Sequence, residues 1–262
     1  MRLATWNVNS LKARLGFLEA WLESSRPDVV CLQETKCADS AFPAERFSAL
    51  GYDSTHHGDG RWNGVAILSR VGVEGAFGGF HSPGSGVQAE TRLVSAVCGG
   101  IRVYSAYIPN GRSVGSDHYE AKLLWLERLV DELDGAARPD DPVAVCGDFN
   151  VAPSDQDVWS PAALEGSTHV TLEERAAIAR LEQWGLEDVT RRLAGDVSGP
   201  FSWWDYRGGS FHKGQGMRID LVLLTRGLAE RATAAFVDRD ARKKAGEMMP
   251  SDHAPVVVDL DL

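Results

Sequence analysis

The strongest constraint on this chain is a repeated motif, an apolar strand-like run with an acid, a carboxamide or a histidine at its end. Near the C-terminus, Ser251-Asp252-His253-Ala254-Pro255 leads into Val256-Val257-Val258. Trp6-Asn7, Leu32-Gln33-Glu34, Gly147-Asp148-Phe149-Asn150 and Arg218-Ile219-Asp220 repeat the arrangement. A carboxylate inside an apolar strand is costly unless it is paired. Asp220, ahead of Leu221-Val222-Leu223-Leu224, therefore needs a partner. A histidine is the natural one, because the carboxylate fixes its tautomer and raises its basicity. Strands that deliver polar groups at their ends are how an α/β scaffold assembles a site.

Runs rich in β-branched residues predict strands at Arg2–Val8, Asp28–Gln33, Gly64–Ser69, Thr91–Val97, Ile101–Ile108, Val143–Cys146, Ile219–Leu224 and Pro255–Leu262. Helical periodicity is best over Leu11–Ser24, where Leu11, Leu15, Leu18 and Leu22 form one stripe. It recurs over His118–Leu133 and Thr171–Trp184, the latter opened by the capping-box pattern Thr171-Leu172-Glu173-Glu174. Many strands follow one another without a helix between, which favours a mixed-sheet α/β sandwich over a strictly alternating sheet. The Gly-rich stretches Gly72–Gly86 and Gly208–Gly216 read as surface loops. The first and last strands both carry candidate site residues, so residues 1–262 are expected to form a single catalytic domain.

With 262 residues, 44% of them hydrophobic, the chain can close a large core, which excludes disorder. A net charge of −10 excludes a generally basic nucleic-acid coat protein, but not an enzyme with a local cationic patch and a metal ion. Cys31, Cys37, Cys98 and Cys146 form no C-x-x-C pair, so zinc and redox chemistry are not expected. The N-terminal residues lack the apolar core of a signal peptide, and no apolar run approaches the ~18 residues of a membrane span. The expectation is a soluble, cytoplasmic protein with no membrane association.

The strand-end residues together suit phosphodiester hydrolysis. A hard cation needs oxygen ligands, and Asn7, Glu34, Asp148, Asn150 and Asp252 offer them. Asp148 is the candidate base that aligns water for in-line attack. His253, Asn150, Asn7 and Tyr107 are candidate donors to the phosphoryl oxygens.

Seven segments in order also carry a family resemblance: Thr5-Trp6-Asn7-Val8-Asn9-Ser10, Leu32-Gln33-Glu34-Thr35-Lys36, Tyr107-Ile108-Pro109-Asn110-Gly111, Gly147-Asp148-Phe149-Asn150, Ser202-Trp203-Trp204-Asp205-Tyr206-Arg207, Arg218-Ile219-Asp220 and Ser251-Asp252-His253-Ala254-Pro255. As an ordered set spanning residues 5 to 255 they resemble the exonuclease III family of DNA-repair nucleases, within the endonuclease/exonuclease/phosphatase superfamily. The resemblance implies a four-layered α/β sandwich, two packed mixed β-sheets flanked by helices. It implies Mg²⁺ or Mn²⁺ at Glu34 with Asn7 nearby, and a second position around Asp148, Asn150, Asp252 and His253. Asp148 would activate water, Asn150 would hold it or the oxyanion, and His253, oriented by Asp220, would contact the scissile phosphate beside Tyr107. The implied substrate is duplex DNA, cut 5′ to abasic sites or trimmed at 3′ ends by a monomeric enzyme. Trp203, Met217 and Ile219 would wall a pocket for the base-less sugar, with Trp204 left to the core. Asn9 stands where some relatives have aspartate, and Met217 where some have tryptophan.

Candidate DNA contacts beyond the pocket are Arg92, Asn110, Arg112 and Lys122, with Arg14, Lys36, Arg61, Arg207, Lys213 and Arg218 as further candidate phosphate ligands. The run Arg239–Lys244 is a candidate for flanking DNA or plain surface. Two rival readings keep the fold: a phosphatase of small phosphoesters, and a catalytically silent nucleic-acid-binding regulator. The segments around Tyr107 and Trp203 count against the first. The intact set Glu34, Asp148, Asn150, Asp220 and His253 counts against the second.

Overall fold

The structure, a computed structural model, describes residues 1–82, 90–244 and 249–262. One six-stranded sheet comprises β1 (Arg2–Asn7), β2 (Val29–Gln33), β3 (Asp53–His57), β4 (Val65–Ser69), β13 (Ala232–Val237) and β14 (Val256–Leu260), in the order β13-β14-β1-β2-β4-β3. The other comprises β5 (Glu74–Gly78), β6 (Leu93–Cys98), β7 (Ile101–Tyr107), β8 (Val143–Asp148), β9 (Leu186–Asp188) and β12 (Asp220–Thr225), in the order β5-β6-β7-β8-β12-β9. A two-stranded ribbon pairs β10 (Trp203–Trp204) with β11 (Gly216–Met217).

The eight strands expected from sequence are the eight interior strands of the two sheets. Interior strands are buried on both faces and so read as continuous apolar runs. The edge strands β3, β5, β9 and β13 carry no such signal; β3 is Asp-Ser-Thr-His-His, and β5 is exposed throughout. Strand β5 occupies part of Gly72–Gly86, correcting the expectation of a loop there, while residues 83–86 lie outside the described residues. Gly208–Gly216 is likewise more than a loop, holding a helical turn at Ser210–Lys213 and the start of β11.

Alternation along each strand sorts its side chains between two apolar layers. Leu3, Cys31, Ile67 and Val258 of the first sheet meet Val103, Ala144, Cys146 and Val222 of the second. On the outer face of the first sheet, Trp6, Val30 and Val257 pack against Leu18, Trp21 and Leu22 of helix α1 (Leu11–Ser25). On the outer face of the second, Tyr104, Val145 and Leu221 pack against Leu126 and Leu129 of α2 (Asp117–Ala136) and Ile178 and Leu181 of α3 (Leu172–Trp184). The sequence of layers is helix, sheet, sheet, helices, as expected. Each fully buried aliphatic side chain contributes about 1.5–3 kcal/mol to this stack. Among the described residues, no helix is long and apolar enough to cross a membrane.

Strand direction gathers the polar strand ends. β1 runs parallel to β2, and β7 parallel to β8. β14 runs antiparallel to β1, and β12 antiparallel to β8. The C-terminal ends of β1, β2, β7 and β8 therefore share one rim with the N-terminal ends of β12 and β14. Chain ends far apart in sequence also meet, with Leu3 opposite Val258 and the Met1 ammonium donating to the Leu260 carbonyl at 2.6 Å.

Candidate active site

Tyr107, Asp148 and Asp220 stand side by side on this rim. Tyr107 is the register partner of Asp148 across β7–β8, and Asp220 its partner across β8–β12. Asp148 shares the inward face of β8 with Ala144 and Cys146, so it points at the opposing sheet. Residue 147 must be glycine, because a Cβ there would lie 1.8 Å from the Ala106 carbonyl oxygen. From the opposing sheet, Asn7 donates to Glu34 Oε1 at 2.8 Å and to Asp148 Oδ2 at 2.9 Å, bridging the gap. Tyr107 donates its hydroxyl to the same Glu34 oxygen at 3.0 Å. Glu34 follows the inward-facing Gln33, and simple alternation would turn it away. Its positive φ of 52° breaks the alternation and brings the carboxylate back.

His253 enters from the start of β14. Its Nδ1 lies 2.8 Å from Asp220 Oδ2, and its Nε2 3.8 Å from Asp148 Oδ2. The strand mouth is pinned in place: the Ser251 hydroxyl donates to the Asn7 carbonyl at 2.7 Å, and the Trp6 indole to the His253 carbonyl at 3.0 Å. Burial disfavours a charged imidazole, but the carboxylates of Asp220, Asp148 and Asp252 outweigh it and raise the His253 pKa. Burial pushes the Asp148 carboxyl up, opposed by His253 and aided by the charge of Asp220. Burial alone would raise Glu34 too, yet Lys36, 2.7 Å away, and the Asn7 hydrogen bond hold it below its ordinary value. Burial and the charges of Glu34 and Asp148 drive the Tyr107 phenol well above its usual range, so it stays a proton donor.

The remaining candidates divide. Asp252 accepts from Asn9 at 3.0 Å and from the Trp203 indole at 3.1 Å, which joins the carboxylate to the apolar ribbon instead of to Glu34. Despite burial, His253, Asn9 and Trp203 keep its pKa low. Asn150 adopts a positive φ of 51°, so strand alternation does not govern it. Its backbone N–H donates to Asp148 Oδ1 at 3.0 Å, and its side chain donates to the Ile108 carbonyl and accepts from Asn110. Met217 and Ile219 form a buried cluster with Ala152 and Val158, and the half-buried Trp203 packs against it; Trp204 lies in the interior.

Two expected phosphate contacts are corrected. Lys122 is fully buried, its ammonium donating to the Asn150 carbonyl and paired with Glu174. Arg218 is fully buried between Asp157 and Asp188, each at 2.7 Å. Neither reaches solvent, because each neutralises acids that the sequence separates widely. Arg112 is exposed, whereas Arg92 lies over the Tyr107 ring, 4.7 Å from its centroid, and pairs with Glu90. Sequence reading missed a polar layer just beneath the site, in which Gln33 donates to Thr5 of its own sheet at 3.0 Å and to Ser105 of the opposing sheet at 3.1 Å. The inward parity of these residues with Asn7, Asp148 and Tyr107 was the available signal.

The residues present suit a hard divalent cation. Asp148, Asp220 and His253 offer ligand atoms within 4.8 Å of one another, and Asp220 Oδ1 is buried without a hydrogen-bond partner. Carboxylate and carboxamide oxygens dominate the surroundings, as magnesium and manganese prefer.

Comparison with known proteins gives the same answer throughout the chain. The model of the "Endonuclease/Exonuclease/phosphatase family" matches residues 4–253. Exodeoxyribonuclease III of Haemophilus influenzae is 35% identical, the alignment covering 98% of each chain. The solved structure of an AP endonuclease from Archaeoglobus fulgidus superposes with a TM-score of 0.94 at 35% identity, covering 100% of both chains. A 3′ phosphatase, NExo, from Neisseria bound to product DNA hairpin gives a TM-score of 0.94 at 31% identity, again over 100% of both. This chain belongs to the exonuclease III family of DNA-repair nucleases, within the endonuclease/exonuclease/phosphatase family.

Proposed function

We propose that the protein is a Mg²⁺- or Mn²⁺-dependent phosphodiesterase that cuts duplex DNA 5′ to abasic sites and cleans 3′ ends as a monomer. The observation that carries this reading is the convergence of Asp148, Asp220 and His253 with Glu34, across the Asn7 bridge. Glu34 and Asn7 would hold the cation, with Asp148, Asn150 and Asp252 available to a second. When bound, it neutralises charge on the phosphoryl oxygens and on the departing 3′-oxygen.

Asp148 takes a proton from the attacking water. Its raised pKa brings this carboxylate nearer to neutrality, where a general base works best. Asn150 holds the water or the phosphoryl oxygen opposite. His253, kept protonated by Asp220, donates to a non-bridging phosphoryl oxygen. Tyr107 presents its hydroxyl to the phosphate or the leaving oxygen. The apolar cluster of Met217 and Ile219, with Trp203 packed against it, is the proposed seat of the extruded sugar, and a missing base lowers the cost of extrusion.

The test is a labelled duplex with a single abasic analogue, incubated with Mg²⁺. Cleavage 5′ to the analogue, leaving a 3′-hydroxyl that a polymerase extends, is the expected result. Intact duplex after incubation with folded protein contradicts it.

A further inference from the structure

The loop joining β3 to β4 carries an exposed aromatic beside the site. Trp62 is 68% exposed, and the Arg61 guanidinium lies 5.7 Å from its ring centroid. An exposed indole offers a large, rigid aromatic face to a ligand. Among the described residues Arg61 has no ion-pair partner, on a chain whose net charge is −10.

The loop is fastened to the segment that carries Glu34. Lys36 N–H donates to the Asn63 carbonyl at 2.9 Å, and Thr35 N–H to the Gly64 carbonyl at 3.1 Å. The apposition is tight enough that a Cβ on Gly64 would lie 2.1 Å from Thr35 Oγ1. Lys36 in turn pairs with Glu34 and donates to Asn9 at 2.6 Å. The backbone on either side of Trp62 is thus held, while the ring itself faces solvent.

We propose that Trp62, with Arg61, is a stacking platform for an unpaired nucleobase of the DNA strand entering the site. This inference rests on the nuclease reading above. A paired base hides its faces in the stack, so the indole engages only a frayed, mismatched or overhanging one. Arg61 adds a cation for the adjoining phosphate. The platform biases the enzyme toward 3′ ends that are already open, the ends that need trimming.

Binding without catalysis tests this directly. Wild type, Trp62→Ala and Trp62→Phe are titrated by fluorescence anisotropy, in chelator, onto duplexes with a paired or a two-base mismatched 3′ terminus. Trp62→Ala is expected to bind the mismatched end about tenfold more weakly and the paired end within about twofold of wild type, with Trp62→Phe restoring the preference. Equal binding of both ends by wild type, an unchanged preference in Trp62→Ala, or no rescue by phenylalanine overturns the proposal. Adding Mg²⁺ to the same samples separates the two readings: absence of cleavage by wild type counts against the nuclease, whereas the binding preference alone decides the platform. Thermal melting checks that the exposed substitutions leave the fold intact.

Discussion

Asp148 and Asp220 face each other as register partners on antiparallel strands, both buried, with His253 within 3.8 Å of each. Two carboxylates held this close repel each other and burial adds to the cost, so the imidazolium is what makes the arrangement tolerable. A group kept at such a cost serves chemistry before stability.

Asp220→Asn should separate those two roles. The asparagine keeps the shape but no longer stabilises the imidazolium, and we expect kcat to fall about 100-fold or more. Stability should be unchanged or slightly higher, because one charge of a repelling pair is gone. Single-turnover incision and thermal melting measure both, and a large loss of stability with kcat retained would contradict this assignment.

Lys122→Met should destabilise by about 3–5 kcal/mol, since it leaves the wholly buried Glu174 carboxylate uncompensated. The double variant Lys122→Met, Glu174→Leu should recover much of that loss. Activity should remain low in the double variant, because the ammonium also holds the Asn150 carbonyl and the loop bearing Asn110. Denaturant titration and kcat are the readouts.

Asp157 contributes to the acid dependence. Burial opposes its charge, but Arg218 and Arg191 overcome burial and depress its pKa. A depressed carboxylate contributes stability that is fully present above its unfolded pKa of about 3.9 and is lost as pH falls through the lower folded value. Asp157→Asn should therefore cost about 3 kcal/mol at neutral pH, where Arg218 keeps only Asp188. The gap from wild type should narrow below about pH 4. Denaturant titrations at neutral and acid pH check the sign.

Gly147→Ala should cost about 1–3 kcal/mol, because its methyl group cannot coexist with the Ala106 carbonyl. The strands that must part to admit it are those that set Tyr107 beside Asp148, so kcat should fall together with the melting temperature.

How much of this was legible in sequence follows from burial. The interior strands announced themselves because both faces are apolar; the edge strands β3 and β13 have half-exposed or mixed faces and carry no such signal. The site motifs were visible because polar residues interrupt apolar runs. Their geometry was less so: Glu34 and Asn150 owe their positions to left-handed backbone that alternation cannot foresee. Lys122 and Arg218 read as surface cations, since their partners Glu174, Asp157 and Asp188 lie far along the chain. The cap of α3 was foreseen, but not that its Glu174 also pairs with a buried lysine.

The central claim is that Asp148 acts as the base in metal-dependent hydrolysis. Single-turnover incision of an abasic duplex by wild type and Asp148→Asn, each with Mg²⁺ and with chelator, tests it most directly. We predict rapid incision by wild type with Mg²⁺, none in chelator, and a rate at least about 100-fold lower for Asp148→Asn at undiminished DNA affinity. Incision by Asp148→Asn at the wild-type rate, or by wild type in chelator, would contradict the account.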